Sequence, residues 1–84
     1  MNVIKFSVVY LNDKRRWIIT KGDKDDPPIR SDGPTPTYTS HRFRFWAVIM
    51  AEKLCENMYA SGINCILSVY NKFEEEEYRV LFYE

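Results

Sequence analysis

The only histidine, His41, stands beside Arg42 and Arg44 at the start of a long periodic segment. A general base there needs a carboxylate or carbonyl to orient it, and the sequence offers no specific one. A helix start also disfavours the imidazolium, so His41 reads as a surface residue. Cys55 and Cys65 are too few for a disulfide framework. They read as two buried, reduced thiols, although a single bridge becomes possible if a helix packs on a neighbouring strand. Reduced thiols place the chain in the cytoplasm of a cell or of an infected host. Asp23, Asp25 and Asp26 offer oxygen ligands, but lack the alternating pattern, central glycine and terminal glutamate of a calcium loop. There is no P-loop, dinucleotide fingerprint, Gly-x-Ser-x-Gly or Cys-x-x-Cys. The expectation is a chain with no catalytic residues, no cofactor and no metal.

Charge supplies the other chemistry. Twelve Lys and Arg balance twelve Asp and Glu, so no net field draws the chain to nucleic acid or to a membrane. The balance is uneven along the chain: residues 1–44 carry nine basic against five acidic side chains, and residues 45–84 carry three against seven. Lys14, Arg15 and Arg16 cluster at one turn, and Arg42 and Arg44 flank a helix start. With Trp17 as a stacking platform, these residues form the candidate nucleic-acid surface. Against it stand the missing basic excess and the absence of any RNA- or DNA-binding motif. The run from Glu74 to Glu77 reads as a solvated hairpin end, or as a short acidic contact for a basic groove.

The elements that must position these groups follow from periodicity. Eighty-four residues, 45% hydrophobic and 15% aromatic, make one globular domain over residues 1–84 and exclude a disordered chain. The longest apolar run, residues 45–51, is far short of the ~20 residues of a membrane helix. Residues 1–6 alternate and soon meet charge, which does not read as a signal peptide.

Residues 3–11 alternate, with Ile4, Phe6, Val8 and Tyr10 on one face, and a turn at residues 12–14 leads to a second strand at 15–20. Residues 21–40 hold all four prolines and read as a long exposed loop. Thr39 or Ser40 should cap a helix from His41 to about Ala60, and Gly62 should end it. Strands are expected at 63–70 and 78–83. The class is therefore α+β, in ββαββ order. A four-stranded antiparallel sheet, in spatial order two-one-three-four, would carry one long helix on one face.

Placed at 100° intervals, Phe43, Ala47, Met50, Leu54 and Met58 form one helix stripe, flanked by Trp46 and Ala51. This stripe is the expected core face. Phe45, Val48, Ile49, Cys55 and Tyr59 point away from it, and Phe45, Ile49 and Tyr59 surround Glu52 and Glu56. A helix apolar on nearly all sides is either covered twice or presents a binding surface. The loop, with Ile29 and Tyr38, is one cover; a partner is the other. The expected function is protein–protein recognition by a small non-enzymatic accessory or inhibitor protein, of the kind made by phages and mobile elements. Its expected contacts are Phe45, Ile49, Glu52, Glu56 and Tyr59, with Tyr38 as a second contact. The partner is a larger protein or a second copy of the chain. Nucleic-acid binding through Lys14, Arg15, Arg16, Trp17, Arg42 and Arg44 is the alternative.

Overall fold

Residues 3–29 and 40–83 are described by the computed structural model. In chain order they form β1 (Val3–Leu11), β2 (Arg16–Lys21), β3 (Ser40–His41), α1 (Arg44–Ala60), β4 (Asn64–Tyr70) and β5 (Glu76–Phe82). Among the described residues the strands make one sheet in the order β3-β2-β1-β4-β5. β1 lies in the middle, antiparallel to β2 and parallel to β4. The fold is a small α+β domain with a mixed sheet. This corrects the expected four-stranded antiparallel arrangement, although the order of the four long strands is the expected one.

The difference comes from the segment after β2. The chain turns over residues 22–26 and returns along the outer edge of β2. There Thr20 bridges Pro28, and the Ile29 amide donates to the Ile19 carbonyl at 2.9 Å. Farther along the same edge, Ser40 and His41 pair with Ile18 and Trp17. This extra pass reverses the chain once more before the helix. The strand after the helix must then run parallel to β1 instead of against it. Proline-rich composition hid the pass, because an edge strand tolerates residues that a central strand rejects.

The turn is built around Gly22. Its φ of 116° lies where glycine is favoured, and the Asp26 carboxylate occupies the space a Cβ would take. The Ser7 hydroxyl donates to the Gly22 carbonyl at 2.6 Å, and the Thr20 hydroxyl to the Asp23 carbonyl at 2.8 Å. These bonds satisfy two polar side chains that are fully buried on the sheet face away from the helix.

Ser40 belongs to β3, so it does not cap α1 as expected; Thr39 lies outside the described residues. Phe43 occupies the N-cap position in extended conformation, with no side-chain cap. The C-terminus follows the expectation. Gly62 has φ 83°, its amide donates to the Tyr59 carbonyl at 3.0 Å, and the Ile63 amide reaches the Met58 carbonyl at 2.9 Å. This is a Schellman closure.

The core lies between α1 and one sheet face. Phe6 and Val8 of β1, Trp17 and Ile19 of β2, and Cys65, Leu67 and Val69 of β4 supply the sheet side. The alternation of β1 therefore places Phe6 and Val8 inward as expected, whereas Trp17, expected at the surface, is inside. The helix contributes Ala47, Val48, Ala51 and Cys55, with Leu54 and Met58 partly buried against them. Val48 and Cys55 were expected outside and are inside. Phe43, Trp46 and Met50 were expected inside and are 50%, 52% and 44% exposed. The helix is turned roughly 60° from the expected setting at 100° per residue.

Core energetics test this setting. Leu67→Ala, at a fully buried position, should cost about 2–5 kcal/mol in chemical denaturation. Met50→Ala should stay within about 0.5 kcal/mol of wild type, the usual effect of an exposed site. Equal losses at the two positions would show that Met50 is a core residue.

Candidate protein-docking surface

Small side chains at positions 47, 51 and 55 let α1 sit close to the sheet, and Ala47, Ala51 and Cys55 are completely buried. Helical geometry then drives the bulky neighbours outward. Phe43, Phe45, Trp46, Ile49 and Met50 are all between 39% and 55% exposed and run from the N-cap through the first two turns of the helix. The rings touch in sequence. Phe43 and Phe45 stack with centroids 5.6 Å apart, and Phe45 and Trp46 meet at 5.1 Å with a tilt of 38°. The Arg42 guanidinium lies 5.6 Å from the Phe43 ring and gives the apolar ridge a cationic end.

Toward the C-terminus the same outer surface turns polar. Glu52 is half-buried, Glu56 is exposed, and Tyr59 is 39% exposed. The expected docking residues thus share one side of α1, with Phe45 and Ile49 in the apolar half and Glu52, Glu56 and Tyr59 in the mixed half. Tyr38 lies outside the described residues. Ile29, expected as a cover for the outer helix, packs instead against the edge of the core beside β2.

Sequence reasoning missed Phe43, Trp46 and Met50 as surface residues because it assigned the largest side chains to the core. Two signals were present. Three aromatic residues within four positions cannot all face one sheet, and the small residues 47, 51 and 55 mark a seam of close approach.

The basic residues are distributed differently from expectation. Arg15 and Arg16 are exposed at the β1–β2 turn, where Arg15 adopts φ 53°. Lys14 lies in the same turn, exposed at the surface. Arg44 pairs with Glu77 on β5, and its guanidinium lies 5.8 Å from the Trp17 ring. Trp17 is only 6% exposed and packs on Tyr10 at 4.9 Å. Little of its ring is left to stack on a base, which corrects the role expected of it.

The acidic turn between β4 and β5 is drawn in too. Lys24 reaches Glu74 at 4.0 Å, Arg44 reaches Glu77, and Arg79 holds Glu76 at 2.7 Å. The Arg79 hydrogen bond keeps the Glu76 carboxyl below the usual carboxylate range. Exposed pairs of this kind are weak in water, so these contacts neutralise the turn more than they stabilise it.

The chemistry available elsewhere is limited. His41 is half-buried, and its Nε2 has no hydrogen-bond partner among the described residues. Asp23 is engaged by Lys5 at 2.7 Å, and the Asp26 carboxylate accepts the Asp23 amide. Among the described residues no group of three His, Cys, Asp or Glu is placed to hold a metal ion. Nor is any described helix long and apolar enough to cross a membrane. A cavity of about 140 Å³ lies between Tyr10, Tyr70, Lys24 and Glu74. No family model, curated protein or solved structure matches the chain.

The two tryptophans give a direct test of the ridge. Acrylamide should quench Trp46 readily and Trp17 poorly, giving a two-component Stern–Volmer curve. Trp46→Phe should remove the accessible component. A single, poorly quenched population would show that the ridge is covered.

Proposed function

We propose that this chain is a small non-enzymatic binding protein that docks the outer face of α1 onto another protein. The observation that carries this reading is the exposed cluster of Phe43, Phe45, Trp46, Ile49 and Met50 on a helix already seated on its own sheet. Large aromatic groups beside an arginine are the composition that dominates binding energy when an interface closes. Burying such side chains yields roughly 25 cal/mol per Å² of apolar area, against the entropic costs of association. Glu52, Glu56 and Tyr59 extend the contact with polar groups suited to a rim.

The reading makes the protein an accessory or inhibitor type, of the kind made by phages and mobile elements, acting in the cytoplasm of a cell or of an infected host. A larger protein is the favoured partner, and a second copy of the chain is the other candidate. Nucleic-acid binding is less well supported, because Trp17 is packed inside and Arg44 is neutralised by Glu77. Lys14, Arg15, Arg16 and Arg42 remain as its surface.

The decisive experiment combines capture from host lysate with sedimentation of the purified chain. Wild type should retain one protein through a high-salt wash, and Phe45→Glu/Ile49→Glu should lose it while keeping its melting temperature within a few degrees. Retention of the partner by the folded double variant would refute the docking face. Binding to nucleic acid that collapses as log[salt] rises would favour the basic surface instead.

A further inference from the structure

The two cysteines of the chain meet inside the core. Cys55 comes from the buried side of α1 and Cys65 from the helix-facing side of β4, and both are completely buried. Their sulfur atoms are 2.7 Å apart, across ten positions of sequence. We infer that Cys55 and Cys65 form a reversible disulfide that fastens α1 to the sheet. Bond formation needs the sulfurs to close from this separation to about 2.0 Å.

The sulfurs sit in an apolar setting. Leu67, Val69, Ala51 and Val8 belong to the same core cluster. Burial raises both thiols above their ordinary range, and Cys65 and the carboxylates of Glu52 and Glu56 push Cys55 further. Both are therefore protonated at neutral pH and hidden from solvent, which makes the closed protein slow to react. Oxidation proceeds through opening of α1 and accelerates as pH rises, because the thiolate is the attacking form.

With a small disulfide such as oxidised glutathione as oxidant, the step balances. One cysteine thiolate attacks the glutathione disulfide, forming a mixed disulfide and releasing one glutathione thiolate. The second cysteine, deprotonated in turn, attacks the protein sulfur of that mixed disulfide. The second glutathione thiolate leaves. Each leaving thiolate takes up one of the two protons lost by the protein. The protein dithiol is oxidised, and one oxidised glutathione is reduced to two thiols.

The bond closes a short loop, α1 to β4, and removes freedom from the unfolded chain. It also pins the helix that carries the apolar ridge, yet it stands whether or not the ridge docks on anything.

The test uses the full wild-type chain equilibrated with oxidised glutathione at mildly alkaline pH. Intact mass should fall by two hydrogens, with no added glutathione. Tm should rise by roughly 10 °C and return on reduction. Peptide mapping should join the segments containing Cys55 and Cys65 within one chain. Cys55→Ala and Cys65→Ala should each abolish both changes. Because a core substitution can itself destabilise, the comparison of oxidised with reduced wild type decides the matter alone. A stable mixed disulfide, a bond between chains, or unchanged mass after unfolding and refolding in the same oxidant would overturn the proposal.

Discussion

The close seating of α1 on the sheet, through small side chains, governs the rest of the molecule. Ala47, Ala51 and Cys55 are completely buried, so the helix side of the contact with β1 and β4 carries little side-chain bulk. Interior atoms must be in contact to gain dispersion energy, and small groups achieve that only by bringing backbones together. The same seating brings the two sulfurs together. It also decides what happens on the opposite side, because the bulky residues in the first two turns have no room beneath the helix.

A small domain usually hides its aromatic groups, since its core is thin and each ring buries much area. Here the sheet side supplies the large groups, Phe6, Trp17 and Leu67, and the helix supplies the small ones. The division leaves the domain with a sufficient core and a surplus of rings outside. Arg42 and Arg44 border that surplus, one lying over Phe43 and the other bridging Trp17 and Glu77. The helix start is thereby fixed to both halves of the sheet while its outer rings stay open to solvent. This combination of a fixed scaffold and an exposed apolar ridge is what supports the docking proposal.

The opposite charges of the two chain halves meet in space. Lys24 and Arg44 come from the basic half and reach Glu74 and Glu77 of the acidic half. A bipolar reading of the sequence therefore overstates the field that the folded surface presents. Pairing lowers the local charge, and solvent screens what remains. Helix orientation was illegible for a related reason. An apolar residue occurs at nearly every angle around α1, so periodicity alone could not rank Met50 against Val48. Only their packing in the fold separated them: Val48 is buried and Met50 is exposed.

Local chemistry in the sequence was enough to locate the first hairpin, the inward face of β1, the long helix, the glycine that ends it and the last two strands. Those features depend on alternation, on turn residues and on backbone freedom at Gly62, which act over a few neighbouring positions. Tertiary structure alone decided three others: the rotation of α1, the burial of Trp17 and the parallel pairing of β1 with β4. Pairing direction turned on Ser40 and His41, two residues whose strand exists only because β2 offers them an edge. Such a contact gains nothing until a distant segment is already in place, and no local pattern can register it.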